Sequence, residues 1–206
     1  MTIIDYDNLT SIQMDALKEI GNVGSGNAAV ALSQILNHTV KMDVPTVEIL
    51  GYEETMNMLG GPEEIASAVL VELVEGMNGM MLFIQQKDFL GSVLNTLLSK
   101  ELTSFEEMDE MDASAIMEVG NILLSSYVTA ISNFAGFKID ISVPAHTVNM
   151  IGGILSVPIV EMAEETEKML MIHGYFIIDG QKISSNILLI PDMGSLNKLL
   201  ESLGVN

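Results

Sequence analysis

No arginine and no cysteine occur among the 206 residues. The absence of cysteine removes thiol nucleophiles, disulfides and thiolate metal sites together, and it fits a reducing cytosol. The absence of arginine removes the bidentate clamp with which many enzymes hold a free phosphorylated substrate. Basic residues are scarce altogether: all eight are lysine, against 28 Asp plus Glu, for a net charge of −20. A chain so acidic repels polyanions, which disfavours nucleic acid and anionic membrane surfaces as partners. The N-terminus MTIIDYDNLT lacks a basic segment followed by an apolar one, and no uninterrupted apolar run approaches the ~18 residues that span a bilayer. These absences predict a cytoplasmic protein without membrane insertion. His38, His146 and His173 are scattered, no H-E-x-x-H spacing occurs, and GNVGSG lacks the Gly-Lys-Ser/Thr ending of a phosphate-binding loop, so neither a metal nor a nucleotide is expected.

What the chain does have is an internal repeat. EIGN at Glu19–Asn22 returns as EVGN at Glu118–Asn121, an offset of 99 residues. The same offset pairs Ala16 with Ala115, Ala31 with Ala130, Ser33 with Ser132, and Val44 and Pro45 with Val143 and Pro144. No gap is needed. The chain therefore divides into two related units, about 8–100 and 105–206, expected to face each other across a pseudo-twofold axis within one domain.

Each unit opens with a long helix. Thr10 followed by Gln13 announces the first, and Thr103 and Ser104 followed by Glu106 and Glu107 are expected to announce the second. The acidic run Glu106–Asp112 then falls in the early turns, where it complements the helix dipole and has no calcium-loop spacing. Asn37 and Gly136 mark the helix ends. Extended stretches follow at VKMDVPTVEIL and FKIDISVPAHTVNM, then SAVLVELVE with GMMLFIQQ, and KMLMIHGYFIID with SSNILLIP. Amphipathic helices FLGSVLNTLL and GSLNKLLESLG close the units, and EMAEETEK reads as a solvated loop. The expected class is α+β, an internally duplicated unit with long helices packed on an antiparallel β-sheet.

Helical spacing aligns Asp15, Glu19, Asn22, Gly26 and Ser33 on one face of the first long helix. It aligns Ser114, Glu118, Asn121, Ser125, Thr129 and Ser132 on the second. Ile116, Val119, Leu123, Tyr127, Ile131 and Phe134 occupy the remaining, apolar positions. In a single copy such a stripe reads as the solvated face of a core helix. The doubling tells against that reading, because Glu-x-x-Asn, the glycine between them and the distant proline survive in both units. Gly24, Ser25, Gly26 and Asn27, by contrast, become Leu123, Leu124, Ser125 and Ser126. The shared Gly21 and Gly120 suit a close approach to the helix and a clear space between Glu and Asn, whereas Gly24 and Gly26 read as local packing. Neither Glu nor Asn is a strong nucleophile, but an amide can hold a water in line with an electrophile and a carboxylate can grip a partner's lysine.

Asp15-x3-Glu19-x2-Asn22-x22-Pro45 resembles the signature of the CheC family of chemotaxis phosphatases, and Ser114, Glu118, Asn121 and Pro144 match it a second time. Two complete motifs set the chain apart from single-motif relatives. The resemblance implies dephosphorylation of the response regulator CheY at its phospho-aspartate. In that picture Glu19 and Glu118 dock a regulator lysine, while Asn22 and Asn121 orient the attacking water. Asp15, Pro45, Ser114 and Pro144 support the motif, and Mg²⁺ is supplied by the regulator. The resemblance also implies CheD, a receptor-modifying deamidase, as a partner. The alternative is a non-catalytic module that binds CheY or CheD and acts by sequestration.

Overall fold

The computed structural model describes residues 6–205. In chain order its main elements are α1 (Ser11–Leu36), β1 (Val40–Met42), β2 (Thr46–Gly51), α2 (Tyr52–Met58), β3 (Ile65–Glu75), β4 (Gly79–Gln85), α3 (Lys87–Leu98), α4 (Glu110–Ala135), β5 (Asp140–Ile141), β6 (Ala145–Met150), α5 (Ile151–Glu161), β7 (Lys168–Ile178), β8 (Gln181–Pro191) and α6 (Met193–Ser202). The class is α+β, as expected. Both long helices, α1 and α4, run 26 residues and end on left-handed caps, Asn37 at φ 53° and Gly136 at φ 75°.

The cap of α1 is the expected box. Thr10 Oγ1 accepts from the Gln13 amide at 3.3 Å, and the Thr10 amide donates to Gln13 Oε1 at 2.8 Å. The cap of α4 differs from the sequence expectation. Thr103 Oγ1 does donate to Glu107 at 2.7 Å, but this closes a separate 3₁₀ turn at Phe105–Glu107. Asp109 is the true cap, its Oδ1 accepting from the amides of Met111 (2.9 Å) and Asp112 (3.0 Å), while Asp112 Oδ2 accepts from the Asp109 amide at 2.9 Å. Asp109 and Asp112 lie at the 99-residue offset from Thr10 and Gln13, so the box itself is duplicated with carboxylates in place of hydroxyl and amide.

Lys100 binds both Asp109, at 3.1 Å, and the buried Asp112. The backbone amide of Asp112 and then Lys100 hold the Asp109 carboxyl below the usual carboxylate range. A carboxylate lowered in this way stabilises the fold in full above its unfolded pKa, and the gain is lost as pH falls through the folded value. Lys100→Ala is therefore expected to lower the urea midpoint at pH 7, with the gap from wild type narrowing as the pH falls below about 4. A gap that persists undiminished in acid would contradict the assignment.

The sheet is antiparallel throughout. Four long strands run in the order β7-β8-β4-β3, with β1 and β2 together on the outer edge of β7, and β5 and β6 together on the outer edge of β3. The twofold pattern is centred between β8 and β4, which pair across Gly79↔Pro191 to Ile84↔Asn186. Each unit's broken edge strand pairs with the other unit's hairpin. Thr46–Gly51 lies in register with His173–Lys168, and Ala145–Met150 with Leu70–Ile65.

Helices cover both faces. Val69, Val71, Leu73, Met81 and Phe83 join one core with α1, α3, α4 and α6. Ala66, Ala68, Met80, Leu82 and Ile84 join a second core with α2 and α5. Burial on both faces is why these strands read as continuous apolar runs without alternation. Many of the methionines fill these cores, Met81, Met169 and Met171 among them. By length and composition α4 could cross a membrane, but half of that window is buried within the protein, which accounts for its apolarity.

Candidate functional site

α1 presents Asp15, Glu19, Asn22 and Gly26 to solvent, and α4 presents Ser114 and Glu118, with Asn121 and Ser125 partly covered. The two predicted stripes are therefore outward faces of the paired long helices. Among the described residues, Glu19, Asn22, Glu118 and Asn121 make no side-chain hydrogen bond or ion pair, so their polar atoms are not engaged within the protein. Asp15 pairs with Lys18 at 3.0 Å on the surface, an arrangement worth little by itself. Ser114 Oγ donates back to the Glu110 carbonyl at 2.7 Å. Phe134, expected among the inward apolar positions, is instead 41% exposed near the C-terminal end of α4.

The shared glycine admits a close approach to the helix, made by a strand side chain, and does not serve the space between Glu and Asn. A Cβ on Gly21 would lie 2.4 Å from Val47 Cγ2, and one on Gly120 would lie 2.5 Å from Val69 Cγ2. Both glycines point inward and let the helix sit directly on a strand side chain; neither clears the space between Glu and Asn. Gly24 belongs to the helix crossing, since its Cβ would meet the Tyr127 ring at 2.3 Å. Gly26, expected to be a packing residue, has nothing within 4 Å.

Tyr127 is the residue that composition alone conceals. Its ring is fully buried between α1 and α4, and its hydroxyl donates at 3.1 Å to the carbonyl of Gly21, the residue before Asn22. Burial pushes its phenol far above the ordinary tyrosine range, so it stays a neutral donor. Tyr127→Phe keeps the ring and removes the bond, and is expected to lower unfolding free energy by about 1 kcal/mol. An unchanged denaturation midpoint would show the bond to be inert.

The motif prolines lie at the breaks in the two edge strands. Pro45 lies against Gly174 of β7, whose Cβ would meet it at 3.4 Å. Pro144 stands between β5 and β6, where Ser142 binds β3 through its amide to the Glu72 carbonyl at 2.9 Å. Beneath α4, Ser67 Oγ donates to Gln85 Oε1 at 2.9 Å and lies 2.9 Å from His146 Nε2. The first unit has Val47 where the second has His146. Burial holds His146 below the ordinary histidine range, so at neutral pH it adds no charge to the second site.

Cavities do not compete with the stripes. A depression of about 830 Å³ near α3 is lined by residues including Asn95, Thr96, Asp179 and Gln181, and by none of the motif residues. A smaller one, about 440 Å³, adjoins Ser125 and Thr129 on the α4 stripe. Among the described residues no three His, Asp or Glu side chains converge as a metal site would require. His38 pairs with Asp179 at 3.2 Å and His173 Nδ1 lies 2.7 Å from Asn186 Oδ1, so the histidines serve separate local contacts.

Comparison with known proteins converges on the same segments. The model of the CheC-like family matches residues 12–49 and 111–148, which contain both motifs. The chain is similar to the CheY-P phosphatase CheC of Bacillus subtilis (strain 168), 27% identical over 205 residues and covering 98% of each chain. It is also similar to the flagellar motor switch phosphatase FliY of the same organism, 25% identical, covering 98% of this chain and 52% of that one. Among solved structures, FliY of Thermotoga maritima shares the fold with a TM-score of 0.78 at 24% identity, over 96% of this chain and 98% of that chain.

Proposed function

This chain is a two-motif member of the CheC-like family, and from that premise we propose that it dephosphorylates the phospho-aspartate of the response regulator CheY in the cytoplasm. The observation that carries the proposal is the doubled Glu-x-x-Asn on the outer faces of α1 and α4, with no side-chain hydrogen bond or ion pair to any of its four residues among the described residues. Its chemistry follows from what each group can do. Glu19 or Glu118 accepts a charge-assisted hydrogen bond from a lysine beside the regulator's phosphorylation site. Asn22 or Asn121, one turn further along the same face, holds a water in line with phosphorus through its amide. The water oxygen bonds to phosphorus as the bond to the aspartyl oxygen breaks, which leaves aspartate on the regulator and releases inorganic phosphate. An amide cannot act as a base, so the contribution is orientation, which suits phosphoryl transfer, where positioning and electrostatics dominate. Mg²⁺ is brought by the regulator and neutralises the phosphoryl charge, which makes an arginine on this chain unnecessary.

The test separates docking from chemistry. Glu19→Gln with Glu118→Gln is expected to raise KM for phosphorylated CheY about tenfold while kcat changes little, as loss of a partly desolvated charge contact should. Unchanged KM would remove the docking role. The second reading, sequestration without catalysis, predicts saturable binding by the wild type with no acceleration of phosphate loss. The same family resemblance makes CheD a second partner, which co-purification of the two proteins checks.

A further inference from the structure

The motif proline has a consequence beyond packing. The Asp43 amide donates to the Tyr175 carbonyl at 3.0 Å and the Ser142 amide to the Glu72 carbonyl at 2.9 Å, so both edge strands are tied to the sheet up to these residues. Two residues on, proline has no amide to give, and it confines the residue before it to extended backbone. The valine in between is held out into solvent, Val44 at 85% exposure and Val143 at 87%. On the helices, Ile12 and Met111 stand seven residues before Glu19 and Glu118, two turns away on the same face, and both are 66% exposed. These four positions correspond at the 99-residue offset; so do Met58 and Val157, but they lie on α2 and α5 over the second core, on the opposite face of the sheet, whereas Val30 is matched by Thr129 and Phe134 by Ile35. Gly21 packs on Val47, three residues after Val44, so the edge strand that follows Val44 meets α1 at the level of Asn22. The pairing of His146 with Val69, on which Gly120 packs, does the same for Val143.

We infer that Ile12 with Val44, and Met111 with Val143, are the apolar ends of a clamp that seats the phosphorylated regulator over each Glu–Asn pair. The inference rests on the phosphatase reading and adds the surface the regulator must present: an apolar contact on each side of the lysine that meets the glutamate. Charge selects this occupant over a second copy of the chain, because another molecule of net charge −20 would bring one acidic face against another. The motif proline then acts by presenting the valine, with no part in the chemistry.

The test uses the full chain and phosphorylated CheY. Val44→Ser with Val143→Ser, and Ile12→Ser with Met111→Ser, alter exposed side chains, and unchanged melting temperatures check that the fold is kept. Each double variant is expected to raise KM about tenfold with kcat within about twofold, since the lost contacts hold the partner before and during the reaction alike. Val44→Ile with Val143→Ile should keep the wild-type KM. Unchanged KM in either serine variant, with an active wild type, overturns the clamp and leaves the phosphatase reading standing. A wild type that does not accelerate phosphate loss overturns that reading and the clamp with it. Reduced self-association by light scattering with unchanged KM assigns the apolar residues to contact between copies, and likewise overturns the proposal.

Discussion

Asn22→Ala combined with Asn121→Ala is expected to reduce the acceleration of CheY-P dephosphorylation by about 100-fold or more, to the regulator's own rate. The amides are the groups proposed to orient water at each site, and a methyl group can neither accept nor donate. Both lie on outward helix faces, so the melting temperature should move by no more than about 2 °C. KM should rise less than kcat falls, because the glutamates still dock the regulator. Each single variant leaves the other site intact and should keep a measurable share of the activity. Wild-type rates in the double variant would place the chemistry elsewhere on the molecule.

Gly24→Ala should destabilise the fold by about 2 kcal/mol, a fall in melting temperature of about 4–8 °C. The added Cβ would lie 2.3 Å from Cε1 and Cζ of Tyr127 and 2.6 Å from Cδ1. That ring is enclosed on all sides, and its hydroxyl is tied to the Gly21 carbonyl at 3.1 Å, so it cannot withdraw without breaking the bond. Improved helix propensity returns about 1 kcal/mol and is outweighed. Gly26→Ala is the control, because nothing lies within 4 Å of its Cβ and the propensity gain should appear as stabilisation of up to about 1 kcal/mol. Equal effects at the two positions, read from urea midpoints, would contradict the packing account.

Much of this architecture was legible in the sequence because the repeat acts as a second measurement. The 99-residue offset aligns the long helices, the broken edge strands and the motif prolines, and both expected hairpins pair as β3 with β4 and β7 with β8. The helix ends at Asn37 and Gly136 follow from residues that tolerate the left-handed conformation. Other features were not legible. α5 carries Gly152, Gly153 and Pro158, which weaken any helical signal, and its apolar residues show no face because one side packs on the sheet and the other bears exposed Val157 and Val160. The cap at Asp109 was masked by the hydroxyls and acids just before it, although the offset from Thr10 points to it. The exchange of edge strands between units is a long-range pairing that no local pattern encodes.

At the candidate site, the sequence showed which residues share a face but not which way the small ones point. Gly21 and Gly120 are shared by both units because each helix rests on a valine at that level, a demand of the sheet beneath. Gly24 answers to Tyr127, whose counterpart in the first unit is Ala28, so the two helices meet as large against small. That asymmetry explains why Gly24 has Leu123 as its counterpart in α4. The fold itself does not carry the chemistry, since one scaffold can host many functions. In the proposed reading, the side chains of Glu19, Asn22, Glu118 and Asn121 do.

Phosphate released per molecule of this protein tests the central claim most directly. With CheY-P in about 100-fold excess, the catalytic reading predicts tens of phosphates released by each molecule before CheY-P loses an equal share unaided. Release that stops at one or two equivalents, or that never exceeds the rate of CheY-P alone while binding saturates, would contradict it.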